Sequence, residues 1–168
     1  QGIPFQEVMD TLPQGIKGAV PAVTLLALAY SINALSKSMG TANYIVSLSE
    51  SFLTPMLLPA IIFVISAIMA FATGSSWGTF AICMPIALPL AFAFTDGQLG
   101  TLVYACFGAV AGGGVFGDHC SPLSDTTVLS STGSAADHID HVQTQLPYAL
   151  CCGTLAVVLY LLIGFFTL

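Results

Sequence analysis

Apolar positions in this chain do not alternate or form narrow stripes. They run on, and polar residues collect in short clusters between the runs. The apolar runs are 19–36 (AVPAVTLLALAYSINALS), Pro55 to Thr73, Trp77 to Phe94, 99–116 and 146–168. Each approaches the roughly 20 residues that a helix needs to cross a hydrocarbon core. Residues 1–18 read as a connecting stretch with Glu7, Asp10 and Lys17, and residues 41–54 as a second one with Glu50. Pro21 fits a first helical turn, and Lys37 and Gly40 close that run. Asn33 within it is expected to face other helices. Gly74-Ser75-Ser76 joins the second and third runs, which predicts a helical hairpin over 55–95, kinked at Pro85 and Pro89. Thr95-Asp96-Gly97-Gln98 reads as a turn.

The fourth run grows glycine-rich: Gly108/Gly112 and Gly113/Gly117 repeat a small residue every four positions. Such spacing presents bare backbone to a neighbouring helix. The chain then reads GDHCSPLSDTT, residues 117–127. Ser121 followed by Pro122 predicts an N-cap and a first helical residue, and Gly133 predicts a stop. The short helix between them would be about 17 Å long at 1.5 Å per residue. Residues 134–145 read as a polar link, with Asp140 as the cap of a closing helix over 146–168. The prediction is thus an all-α fold of polytopic transmembrane helices, a single transmembrane domain over 1–168. It holds the hairpin, a broken helix over 99–132 with its gap at 117–121, and the closing helix.

Composition supports the membrane reading. The chain has 168 residues, of which 56% are hydrophobic and only 6% charged, against about 25% charged in ordinary soluble domains. Mean hydropathy is +0.93. Two lysines and no arginine argue against nucleic acid as a partner and for the lipid bilayer. Lys17 and Lys37 flank opposite ends of one run, so charge gives no orientation. The five cysteines show no metal-ligand spacing. The chain opens on Gln1, without a signal-peptide pattern, which reads as part of a longer protein.

Two breaks in apolar helices carry the chemistry. Unwound backbone at membrane depth persists only where protein buries it or a wet cavity borders it. Its carbonyls and hydroxyls then offer oxygen to a hard cation. Thr73, Ser75 and Ser76 supply hydroxyls at the first break, and Ser121, Ser124 and Thr126 at the second. Asp118 and Asp125 add carboxylates, the candidate sodium ligands. Carboxylates at membrane depth are costly, and they mark ion or proton paths. Burial favours the protonated form of a carboxyl group, and a sodium ion beside it favours the ionised form. One such site therefore takes a proton or a sodium ion in turn. His119, His138 and His141 are pH-sensing candidates. A solvated junction is the plainer reading of Asp137-His138-Ile139-Asp140-His141. Trp77 reads as an interface anchor or as a lid over the site.

At GDHCSPLSDTT the chain resembles the NhaC family of sodium/proton antiporters, within the ion-transporter superfamily. The resemblance continues through LSSTG and DHIDHVQTQLPYA, through ATGSSWGTFAICMPIA and through PAVTLLALAYSINALSKSMGTANYI. Gln143 stands where that family commonly has a basic residue. The resemblance implies two inverted repeats, each with a polar-tipped hairpin, a broken helix and a closing helix, of which this chain would be the C-terminal one. It also implies the bacterial cytoplasmic membrane as location and the N-terminal half of the same transporter as partner. A homodimer is compatible with it. Sodium and protons would be cargo, with no cofactor. Relatives exchange organic acids such as malate and lactate, so a sodium-coupled exchanger or symporter of a small organic anion stands as the alternative. A membrane metalloenzyme built on His119, His138 and His141 and a plain membrane scaffold complete the set of readings. In the antiporter reading the chain is not an enzyme.

Overall fold

A computed structural model describes residues 54–167 continuously, with scattered positions between 5 and 40. Glu7, Asn33, Lys37, Glu50 and most of the first apolar run lie outside the described residues. Among the described residues there is no strand. From residue 58 onward five helices follow one another: α1 Leu58–Thr73, α2 Ser76–Phe94, α3 Thr101–Cys120, α4 Asp125–Gly133 and α5 His138–Thr167. The helices α2, α3 and α5 are long and apolar enough to cross a membrane, and α1 is a shorter apolar helix.

The predicted hairpin is α1 and α2. Pro59 sits in the first turn of α1, where its missing N–H costs nothing. The helix ends at Gly74 in the left-handed region (φ 65°), whose N–H returns to the Ala70 carbonyl at 2.8 Å. Glycine takes that conformation without a side-chain penalty. Ser75 then caps α2, its Oγ accepting from the Gly78 N–H at 3.2 Å. Pro85 and Pro89 lie inside α2, which continues through both.

The core lies where α1, α2 and α3 meet. Leu58, Ile62 and Phe63 of α1 pack with Cys83, Ala87 and Leu90 of α2 and Leu102, Cys106 and Val110 of α3. Gly113 and Gly117 set the α1–α3 distance. A Cβ on Gly113 would strike the Phe63 carbonyl, and one on Gly117 the Ala67 carbonyl. The partner of this glycine face is therefore α1 of the same chain, not a surface that must come from elsewhere. Gly108 and Gly112 meet side chains instead, Tyr160 and Phe63. The helix α5 packs on the outside, Gly153 against the Phe116 ring and Tyr160 against Phe63 with ring centroids 5.6 Å apart.

Several boundaries differ from the sequence expectation. Residues 117–120 belong to α3, and the gap is Ser121 to Ser124. Proline explains the shift: Pro122 has no N–H to continue α3, and it disfavours helical backbone at Ser121 before it. The cap of α4 is Ser124, not Ser121, because Ser124 Oγ accepts from the Thr126 N–H at 3.2 Å. The short helix has 9 residues. The expected polar link over 134–145 is mostly helix, since α5 starts at His138 rather than at 146. Its cap is Asp137, not Asp140: Asp137 Oδ1 accepts from Ile139 N–H at 2.9 Å and Asp140 N–H at 3.1 Å. At 30 residues α5 is about 45 Å long, about 15 Å more than a hydrocarbon core. The surplus is its polar first turns.

Candidate functional site at the paired breaks

The two helix breaks meet. The hairpin tip at Gly74 abuts the gap so closely that an added Cβ would lie 2.6 Å from the Leu123 carbonyl carbon and 2.9 Å from the Ser124 nitrogen. Ser121 is fully buried and donates from Oγ to the Phe71 carbonyl in the last turn of α1 at 2.7 Å. That carbonyl is among those a helix end leaves without an intrahelical partner. Ser121 thus satisfies α1 while fixing the gap to it.

Asp118 lies in the last turn of α3 with 8% of its surface exposed. Ser124, fully buried, donates from Oγ to Asp118 Oδ1 at 2.7 Å. Thr126 Oγ1 lies 2.7 Å from the same Ser124 Oγ. The three form a chain from carboxylate to hydroxyl to hydroxyl, which leads from the buried Asp118 to the exposed Thr126. A hydroxyl both donates and accepts, so such a chain serves a carboxylate or, with its donors reversed, a carboxylic acid.

Among the predicted site residues, the structure brings Asp118, Ser121, Ser124 and Thr126 together around the gap. Asp125 is the first residue of α4 and exposed, where a negative charge complements the helix N-terminus. Thr73 is exposed and donates to its own helix, to the Met69 carbonyl at 2.8 Å. Ser75 is occupied as the α2 cap, and Ser76 is the half-buried first residue of that helix. Trp77 is 61% exposed and lies edge-on to Phe80, ring centroids 6.1 Å apart. No group of three or more potential metal-ligating His, Cys, Asp or Glu residues occurs among the described residues. The three histidines do not form a common site.

Two contacts escaped the sequence reading, both from α5. Gln145 lies with Nε2 2.6 Å from His119 Nε2 and 3.1 Å from the His119 carbonyl. His138 has Nε2 2.9 Å from the Pro122 carbonyl and Nδ1 3.1 Å from Ser131 Oγ. The available signal was Asp137, a good cap residue directly before a stretch free of glycine until 153.

Broken apolar helices around a buried carboxylate define a class, the polytopic helical membrane proteins. The sequence profile of the Na+/H+ antiporter family matches residues 1–165, and the chain belongs to that family. It is an integral, multi-pass membrane protein. The match bears out the antiporter resemblance. An uncharacterized protein of Haemophilus influenzae is 46% identical over 151 residues, 90% of this chain and 28% of the relative. The arginine/ornithine antiporter ArcD of Halobacterium salinarum is 31% identical over 97% of this chain and 33% of the relative. The malate-2H(+)/Na(+)-lactate antiporter of Bacillus subtilis is 29% identical over 98% of this chain and 34% of the relative. The chain therefore spans about a third of the length of these relatives. No solved structure matches it.

Proposed function

We infer that the whole protein is a secondary transporter that exchanges sodium for protons, with Asp118 as the group that holds one or the other. The observation that carries this reading is the buried Asp118 carboxylate at a helix break, bonded to Ser124 and through it linked to Thr126. In the proton-loaded state Asp118 donates to Ser124 Oγ, and Ser124 donates to Thr126. In the ionised state Ser124 donates to Asp118, and the carboxylate with the neighbouring hydroxyls offers a sodium ion the oxygen ligands it prefers. The C-terminal end of α3, with its partial negative charge, favours a cation at the same place. Proton and sodium compete for one carboxylate, which couples their opposite movements. The partner is the remainder of the same transporter, whose repeat would rock against this one around the gap.

The second reading is sodium-coupled exchange of a small organic anion. It draws support from the N-termini of α2 and α4, which lie at the tip and the gap and favour negative charge, and from the malate and lactate in the name of the Bacillus relative. Against it, the only basic side chains of this chain, apart from its histidines, are Lys17 and Lys37, far in sequence from both breaks.

The test is proton movement on sodium addition in vesicles holding the full-length protein. Asp118→Asn is expected to abolish it, and Asp125→Asn to leave most of it. Transport that survives Asp118→Asn overturns the assignment. Exchange of labelled malate or lactate without net sodium-driven proton movement selects the second reading.

A further inference from the structure

The gap is four residues, Ser121 to Ser124, and most of its backbone groups have a partner. Ser121 N–H donates to the Asp118 carbonyl at 3.2 Å and Ser124 N–H to the Ser121 carbonyl at 3.3 Å. Leu123 N–H donates to Ser121 Oγ at 3.1 Å. Pro122 has no N–H, and its carbonyl is met by His138 Nε2. The geometry points to His138 as a positioning residue for the proposed exchange site: its ring pins the Pro122 carbonyl from α5 and so fixes where Ser124 stands relative to Asp118. This rests on the sodium/proton reading for its functional consequence, though not for its structural one.

Both protonation states of the ring keep the tie. A carbonyl only accepts, so Nε2 carries a proton whenever this bond is made. In the neutral ring Nδ1 accepts from the Ser131 hydroxyl at 3.1 Å. In the charged ring Nδ1 donates to Ser131 Oγ, and the hydroxyl proton turns to the Val128 carbonyl, 2.9 Å away. The carboxylate and imidazole groups on the elements around it are Asp118 and His119 of α3, Asp125 of α4, the α5 cap Asp137, and Asp140 and His141 of α5. The two ring nitrogens are engaged by uncharged partners instead. His138 is thus a clamp in either hydrogen-bonding arrangement, rather than a switch. The neighbouring Gln145 bonds to His119 make the first turns of α5 a second support for the end of α3.

The test uses the full-length transporter in vesicles and compares wild type with His138→Ala, His138→Met and His138→Gln. Methionine keeps apolar volume without a donor, and glutamine offers both a donor and an acceptor. His138→Ala and His138→Met are expected to raise the half-saturating sodium concentration about tenfold, the equivalent of one or two ordinary hydrogen bonds. His138→Gln is expected to restore most of the affinity with an unchanged pH profile between about pH 5 and 8. Amide hydrogen exchange at Leu123 and Ser124 should rise in His138→Ala and His138→Met and stay near wild type in His138→Gln. Unchanged sodium dependence and unchanged exchange in both apolar variants overturn the proposal. A shifted pH profile in His138→Gln replaces the clamp with a switch. If the wild-type protein moves no protons on sodium addition, the sodium/proton reading fails, while the exchange rates at Leu123 and Ser124 still decide whether the tie exists.

Discussion

Gly117→Ala adds one methyl group where α3 crosses α1. Its Cβ would strike the Ala67 carbonyl and lie 2.7 Å from the Phe71 nitrogen and 2.8 Å from the Ala70 Cβ. These are mostly backbone atoms, which no rotamer change can move. Comfortable non-bonded contact begins at about 3.5 Å, so the Phe71 contact alone parts the two helices locally by about 0.8 Å, and the closer Ala67 carbonyl by more. The Ser121–Phe71 bond, at 2.7 Å, spans the same crossing four residues further on. Stretched by the smaller of these amounts it reaches about 3.5 Å, the point where a hydrogen bond is effectively lost. Overpacking of this kind costs about 1–3 kcal/mol, and the bond about 1 kcal/mol more. Thermal unfolding of the full-length protein in detergent should show a clear loss for Gly117→Ala. Gly133→Ala, which would meet nothing within 4 Å, is the control and should be neutral. Sodium-driven proton movement should fall with Gly117→Ala, because the tip and gap no longer register. A Gly117→Ala protein that melts and transports as wild type would refute the close α1–α3 crossing and the site built on it.

Two further outcomes concern stability. Ser66 is fully buried on α1 and its hydroxyl has no hydrogen-bond partner of ordinary geometry among the described residues, with Cys83 near it. An unpaired buried hydroxyl costs about 1–3 kcal/mol, so Ser66→Ala should leave the melting temperature unchanged or raise it; a marked fall would reveal a partner. Asp137→Ala removes the α5 cap and should cost about 1 kcal/mol, whereas Asp140→Asn should not, a comparison read by thermal unfolding of the two proteins side by side.

Much of this architecture is legible in residue order because a membrane leaves so few choices. Apolar runs of spanning length gave the hairpin and the closing helix, and Gly74-Ser75-Ser76 gave the tip, since a glycine stop followed by a serine cap has one local meaning. The gap was legible only to within a few residues. Ser121-Pro122 and Ser124-Asp125 both look like helix starts, and the choice between them depends on Ser121 being drawn away to the Phe71 carbonyl, a contact 50 residues distant. The first turns of α5 were missed for a similar reason. Polar residues at 138–145 resemble a link until His138 and Gln145 are seen to hold the broken helix. The pairing of Asp118 with Ser124 was not readable from spacing, because it depends on how the gap folds back. The glycine repeat announced a close helix contact but not its partner, since spacing carries no address.

At Gly74 the hairpin touches the peptide of Leu123 and Ser124 with no side chain between them. A joint made of main chain against main chain has no slack: neither rotamers nor a flexible arm can absorb a shift. The hairpin tip and the broken helix it rests on are therefore held together as one rigid unit. In the proposed exchanger the remainder of the transporter would therefore move against this joined pair as a unit, with tip and gap staying together.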